Sequence, residues 1–277
     1  MESKRTIILT CGSGFLGSRL LKLISSKYKV ILITNKTEIK KLSNDCSTIN
    51  IDDVNNIHNA EIIIHCAGLI NGNKKECYES NVDFTSKLIN FANKKGIYFI
   101  FISSLNVKLK KKNHYAMTKY ICEQNIINAL NKYTIIRPSY LFDDEYEPNL
   151  QFIFRFMKYL KYSPILISFK YSPILQPLYV FDLISFILGV LNNDKKYLNK
   201  FIEIAGPIKL SMSSLINAYI TSFNGPHRII DIPNIIEKII VIIFRDIFRF
   251  NYEDRTLNEI NKSNKYVIAC KRSQKFI

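Results

Sequence analysis

The chain lacks any Cys-x-x-Cys pair, any unbroken apolar run of bilayer length and any Gly/Ser-rich stretch, and its 23 acidic residues fall far short of its 39 lysines and arginines. Each shortage removes a class of protein. Six cysteines, at 11, 46, 66, 77, 122 and 270, are scattered singly, and the four histidines at 58, 65, 114 and 227 keep no ligand spacing, so no metal site is expected. Several of the cysteines sit in strand- and helix-like segments, where a thiol packs as a small hydrophobe. A reducing compartment follows, and a disulfide-stapled secreted fold does not. With no flexible linker and no internal repeat, tethered domains and solenoids are not expected either.

The most apolar stretch, Ile235 through Phe250, is broken by Glu237, Lys238, Arg245, Asp246 and Arg249, so it falls short of the roughly 20 residues that span a bilayer. Two readings stay open for it: a helix buried in the later half of the chain, or one lying on a membrane surface or a hydrophobic partner. Met1 through Arg5 run straight into an apolar strand-like segment, so no cleavable signal is expected. The formal charge of +16 comes mostly from lysines spread along a chain rich in isoleucine and asparagine. The densest basic run, Lys108 through Lys112, reads as a solvated loop or as an attraction for an anionic partner. No basic motif interleaved with aromatics and no helix-turn-helix pattern accompanies it, so no nucleic acid is expected as a partner.

What is present is an alternation. Thr6 through Thr10 form a short β-rich apolar run, the turn Gly12-Ser13-Gly14-Phe15-Leu16-Gly17 follows, and apolar residues then recur at helical spacing through Leu20, Leu21 and Ile24. In that setting the glycines Gly12, Gly14 and Gly17 let backbone approach a pyrophosphate. The first amides of the new helix, around Phe15 and Leu16, bind it. Val30–Ile33, Ile62–Ile64, Tyr98–Ile102 and Tyr133–Ile136 read as further strands, with helices over Tyr78–Lys94 and Tyr115–Leu130. Continuous apolar strands alternating with helices predict an α/β fold: a doubly wound parallel Rossmann sheet covered on both faces, with ligands at the carboxyl ends of its strands. The glycine turn, His65-Cys66-Ala67-Gly68 and Ser103-Ser104 all fall at such ends. His65 there reads as a packed core histidine.

Tyr115 and Lys119 lie one helical turn apart and share a face, so the ammonium is expected to lower the phenol's pKa from about 10 and fit it for proton transfer. With a serine at the preceding strand end, the set points to carbonyl or hydroxyl redox chemistry.

These residues together resemble the extended or atypical short-chain dehydrogenase/reductase superfamily, the NAD-dependent epimerase/dehydratase family, over nearly the whole chain. The likeness is carried by Gly12 through Arg19, Phe101 through Asn106, Tyr115 through Lys119 with Glu123, Ile136-Arg137-Pro138-Ser139, Gln176 through Asp182 and Ala205-Gly206-Pro207. Within the superfamily it is closest to the nucleotide-binding accessory subunit of respiratory complex I and its bacterial relatives, because only Leu105 through His114 separate the serine strand from the tyrosine. The resemblance implies that Ser104 holds a substrate oxygen, Tyr115 exchanges a proton with it, and Lys119 binds the nicotinamide ribose. Ser103 remains an alternative to Ser104, since side chains alternate faces. It further implies nucleotide contacts from Cys66, Ala67, Gly68 and Pro138. Cys11 stands where the superfamily commonly has glycine, and the Arg-Pro-x-x-x-Phe-Gly pattern ends in Asp143; both changes favour weaker cofactor binding.

Cofactor preference turns on the end of the second strand, where an acidic residue would hold a ribose 2′-hydroxyl. This chain has Thr34-Asn35-Lys36, so NADP(H) is expected to be preferred and NAD(H) to remain possible, with Asn35 and Lys36 at the ribose. Residues 1–142 are expected to form the nucleotide-binding domain and 143–277 a smaller, integral α+β lobe with segments returning to the sheet. Helices are read over Asn149–Tyr162, Val180–Leu191 and Met212–Ser222, and a strand over Phe201–Ile204. The complex I likeness implies a membrane-associated assembly docked through residues 235–250, in a cytoplasmic or matrix-like compartment and peripheral to an inner membrane. An active reductase, dehydrogenase or sugar-nucleotide epimerase is the alternative.

Overall fold

A computed structural model of the chain describes residues 4–34, 46–143, 165–168, 174–211, 214, 228–231 and 267–269. The readings made for Asn35, Lys36 and the segments 149–162, 212–222 and 235–250 lie outside the described residues, apart from residue 214. The chain divides into two compact units, one of residues 1–107, 112–138 and 180–204, the other of 108–111, 139–179 and 205–277. Residues 180–204 thus return from the later half of the chain to the first unit.

That unit is built on seven parallel strands: β1 (Thr6–Thr10), β2 (Lys29–Ile33), β3 (Cys46–Ile49), β4 (Ile62–His65), β5 (Tyr98–Ile102), β6 (Tyr133–Pro138) and β7 (Lys200–Ala205). Their order in the sheet is β3-β2-β1-β4-β5-β6-β7. Ile7 sits between Val30 and Ile62, Phe99 opposite Tyr133, and Ile135 opposite Phe201. The central strands have nothing but buried residues because helices cover both faces, and so they read as unbroken apolar runs.

On one face α3 (Phe84–Lys95) and α4 (His114–Ala129) press Leu88, Phe91, Cys122 and Ile126 onto Ile63, Phe99 and Phe101. On the other, α1 (Phe15–Ile24) packs beside α5 (Val180–Asn192), which buries Leu183, Ile184 and Ile187. Burying large aliphatic and aromatic side chains stabilises by about 1.5–3 kcal/mol each, so this two-sided core holds the strand ends in place. Helix α2 (Lys74–Cys77) begins with a reciprocal cap between Asn73 and Glu76 and passes through a π-helical turn, Tyr78–Asp83, into α3. The π turn brings Asn81 inside, at 2% exposure, where it bonds both backbone groups of Leu69. Gly96, at φ +65°, ends α3 in the left-handed conformation that glycine adopts without penalty.

In the second unit, Leu141–Phe142 pair in parallel with Leu178–Tyr179, Ile174–Leu175 antiparallel with Leu210–Ser211, and Ile165–Ser168 in parallel with Arg228–Asp231. The Gln176-Pro177 and Ala205-Gly206-Pro207 strings meet here. The side-chain amide of Gln176 donates to the Gly206 carbonyl at 2.5 Å, and a Cβ on Gly206 would stand 1.6 Å from the Pro177 carbonyl oxygen. Only glycine fits at 206.

Candidate active site

Four strand ends lie along one edge of the parallel sheet, those of β1, β4, β5 and β6. The first carries the glycine turn. A Cβ on Gly17 would lie 2.0 Å from the Cys11 carbonyl oxygen, and one on Gly14 would lie 2.4 Å from the Cys11 sulfur. The backbone clash makes glycine necessary at 17, while at 14 the Cys11 side chain, with its carbonyl oxygen at 3.2 Å, would have to shift. The Gly14 amide donates to the Cys11 carbonyl at 2.9 Å and closes the turn. At Gly12 a Cβ would meet only the flexible end of Leu32, at 2.8 Å. The special backbone falls one residue earlier. Cys11 has φ +57°, in the left-handed region, which costs a side-chain-bearing residue about 1–2 kcal/mol.

The turn opens α1, whose cap residue is Gly14 and whose first turn holds no acidic side chain. Its unpaired amides and the positive end of its dipole suit a pyrophosphate, and Gly14 at the cap is only partly buried. These residues fit a dinucleotide's diphosphate.

The second strand end, Cys66-Ala67-Gly68, is tied to the first. The Cys66 and Ala67 amides both donate to Thr10 Oγ1 at 3.0 Å. His65 is buried at 1% exposure between Thr10 and Thr85, a packed core residue as expected. Burial, with the neighbouring Cys11 thiol adding, pushes the Cys66 thiol up to about 12, so it stays protonated.

Helix α4 starts at the Asn113 cap, whose side-chain oxygen accepts from the Ala116 amide at 2.8 Å. Its inward face is polar where a packed helix is ordinarily apolar. Lys119 is only 2% exposed, and its ammonium donates to the carbonyl oxygens of Ala67 at 3.0 Å and Ile102 at 2.9 Å, above the Phe101 ring at 4.5 Å. Burial lowers its pKa, opposed in smaller measure by the Cys122, Cys66 and Cys11 thiols and by Glu123. Gly68 makes room for this: a Cβ there would meet Lys119 Cε at 3.0 Å, Nζ at 3.1 Å and Tyr115 Cε2 at 3.6 Å. Tyr115, Lys119 and the Cys66–Gly68 turn are thereby gathered at one place.

One expectation is overturned. The Tyr115 phenol is not lowered by Lys119 but pushed up to about 12, by burial first and the Cys122 thiol second. The geometry gives the reason, since the ammonium lies 6.0 Å from the centre of the tyrosine ring and is engaged by two carbonyls. In this state the phenol is held in its protonated form.

The serine pair divides. Ser103 is buried, and its hydroxyl donates to Glu123 Oε1 at 2.5 Å. Ser104 is half-buried, with its oxygen accepting only a local bond from the Asn106 amide at 3.2 Å.

Glu123 follows Tyr115 and Lys119 on the same face of α4 and is fully buried. Arg137 grips it with Nε at 2.9 Å and Nη2 at 2.7 Å, reaches Glu203 at 3.3 Å and lies over the Phe201 ring at 4.6 Å. This network fastens α4 to β5, β6 and β7. Pro138, next to Arg137, is buried at the end of β6. Thr10, Asn81, Thr85, Thr118 and Glu203 were not singled out from the sequence. Only the polar residues recurring on α4's inner face could have drawn attention to such a network. Among the described residues no group of three or more His, Cys, Asp or Glu could hold a metal, and no helix is long and apolar enough to cross a membrane.

A doubly wound parallel sheet with a glycine-gated helix N-terminus and a Ser-Tyr-Lys set on one edge defines a dinucleotide-binding α/β protein. The model of the NAD dependent epimerase/dehydratase family matches residues 7–205, and the chain belongs to that family. No curated protein sequence matches it.

Among solved structures, UDP-glucuronic acid 4-epimerase from Bacillus cereus, in complex with UDP-glucuronic acid and NAD, is similar at 18% identity over 82% of this chain and 86% of that one, with a TM-score of 0.68. UDP-glucose 4-epimerase from Thermotoga maritima is similar at 19% identity over 82% and 86%, with a TM-score of 0.67. dTDP-4-dehydrorhamnose reductase from Bacillus anthracis, in complex with NADP, is similar at 20% identity over 84% and 85%, with a TM-score of 0.65. At these identities the likeness is one of fold.

Proposed function

We propose that the protein is an NAD(P)-dependent enzyme acting on a nucleotide-linked sugar, as an epimerase, dehydratase or reductase. The observation that carries this reading is the grip on Lys119: a fully charged-capable ammonium, buried between two strand-end carbonyls beside Tyr115, is costly to keep unless it serves a ligand. When bound, the nicotinamide would accept or supply hydride at a sugar carbon. The chain's own residues supply the rest. Cys11 through Gly17 and the first turn of α1 bind the diphosphate, Lys119 takes the ribose hydroxyls, Ser104 holds the substrate oxygen, and Tyr115 gives that oxygen a proton when hydride is delivered to the sugar carbon and takes it back when hydride is removed. The likeness to two UDP-sugar epimerases and a dTDP-4-dehydrorhamnose reductase supports a sugar-nucleotide substrate.

NADP(H) is the preferred cofactor in this reading, because Thr34-Asn35-Lys36 offers no carboxylate to repel a 2′-phosphate. The test is to incubate the protein with NAD+ or NADPH and a panel of UDP- and dTDP-sugars, following nicotinamide absorbance and sugar interconversion. Turnover that disappears in Tyr115→Phe supports the proposal. No turnover with any sugar nucleotide, despite nucleotide binding, overturns it.

A second reading is favoured by Cys11, whose left-handed backbone places a side chain where the turn needs none. Here the protein holds the nucleotide without turnover and supports a membrane-associated assembly, in the manner of the complex I accessory subunit. Binding without turnover, together with co-purification of respiratory subunits, separates it from the first.

A further inference from the structure

The Thr10 hydroxyl, at the end of β1, has three partners. Its oxygen accepts from the Cys66 and Ala67 amides, both at 3.0 Å, and His65 Nδ1 lies 2.8 Å away. A hydroxyl has one proton and two lone pairs. With both lone pairs engaged, its proton goes to Nδ1, so the imidazole proton must sit on Nε2, which donates to Thr85 Oγ1 at 2.8 Å. Thr85 passes its own proton to the Asn81 carbonyl at 2.5 Å. Every bond in this chain therefore has a fixed direction. The ring is stacked on Phe101 with centroids 5.5 Å apart and flanked by Phe84 and Phe99. A second ring proton would set two donors against each other at Thr10. Burial and the charge of Lys119 also keep the imidazole neutral, well below its ordinary pKa.

The far end of the chain is functional. The turn that Thr10 holds presents the Ala67 carbonyl, and that carbonyl takes the Lys119 ammonium at 3.0 Å. We infer that His65 is a positioning residue for Lys119: by directing the Thr10 hydroxyl, its neutral Nε2–H imidazole sets the Cys66–Ala67 turn and so the carbonyl that places the ammonium. The inference rests on the nucleotide-binding role proposed above for Lys119. It assigns the effect to the ring's acceptor nitrogen and not to its volume.

Two measurements test it. In the wild-type protein, 15N NMR of the histidine rings, with His65 assigned by its loss in a variant, is expected to show the Nε2–H tautomer from about pH 8 to about pH 5. An Nδ1–H tautomer, or an imidazolium in that range, overturns the inference.

In parallel, NADPH affinity is compared among variants shown to be folded by circular dichroism. His65→Phe keeps the aromatic packing and removes both hydrogen bonds, and is expected to weaken binding roughly tenfold, the size of one lost hydrogen bond. His65→Asn, whose side-chain oxygen can take the place of Nδ1, is expected to restore most of it. Thr10→Val should add nothing on top of His65→Phe, because both break one link. Wild-type affinity in the folded His65→Phe variant overturns the inference. If the wild type binds no NADPH, it is the proposed role of Lys119 that fails; the inferred link is then judged by hydrogen exchange at Cys66 and Ala67, which His65→Phe must accelerate, and unchanged exchange overturns it.

Discussion

Ser103 and Glu123 are joined by a 2.5 Å hydrogen bond in the interior, with the serine hydroxyl as donor. The bond separates the two adjacent serines by task. Ser104→Ala is expected to cut turnover by a factor of about 100, within the range for loss of a positioned polar group, while leaving urea stability within about 0.5 kcal/mol. Ser103→Ala leaves a buried carboxylate short of a donor and is expected to cost about 1–3 kcal/mol of stability. If Ser103→Ala proved silent in urea unfolding and Ser104→Ala kept full turnover, the two roles would be wrongly divided.

Cys11 occupies a backbone conformation that glycine adopts freely. Cys11→Gly is expected to relieve about 1–2 kcal/mol of strain against about 0.5–1 kcal/mol of glycine's extra chain entropy, a net gain of roughly 1 kcal/mol. Removing the sulfur also opens the diphosphate turn. Thermal unfolding and NADPH titration should both improve; a variant that melts lower and binds more weakly would show that the thiol supports the turn.

The Arg137 ion pairs are inside the protein, with the carboxylate side chains of Glu123 and Glu203 at 0% and 8% exposure. Arg137→Ala removes the cation that both carboxylates share and leaves Glu123 buried with only the Ser103 hydroxyl among these contacts, and is expected to lose about 3–5 kcal/mol in urea unfolding. A loss under about 1 kcal/mol would mean that the network contributes little to fastening α4.

The parallel strands were legible because strands covered on both sides are runs of Ile, Phe and Leu, as in β1, β4 and β5. Edge strand β3, Cys46–Ile49, is mixed in polarity with two exposed residues, and nothing in its letters announces a strand. The return of residues 180–204 to the first unit was only half visible, since a helix and a strand can be read locally but their neighbours in the sheet cannot. Tyr115 and Lys119 were found by their spacing. Their electrostatics were misread, because spacing does not reveal that two carbonyls from other strands take up the ammonium. The left-handed backbone at Cys11 was hidden for a similar reason: two nearby glycines, Gly12 and Gly14, made the turn look already supplied.

The raised Tyr115 pKa gives a pH prediction. Its folded-state value of about 12 exceeds the ordinary 10, so the folded protein holds this proton more tightly than the unfolded chain. The associated stability is fully present below about pH 10 and is lost as pH rises through about 12. The difference in phenolate absorbance between wild type and Tyr115→Phe should therefore appear only toward pH 12. Ionisation below the ordinary value would show instead that Lys119 does activate the phenol.

The central claim is that the strand-end turn of β1 binds a nicotinamide dinucleotide, and calorimetric titration with NADPH tests it most directly, with Gly17→Ala as the control. A Cβ at 17 would stand 2.0 Å from the Cys11 carbonyl oxygen, so the added methyl cannot be accommodated without breaking the turn. Saturable one-to-one binding is expected in the wild type, and none measurable in a folded Gly17→Ala variant. Absence of binding to NADPH and NADH alike in the wild type, or equal binding in the variant, would contradict it.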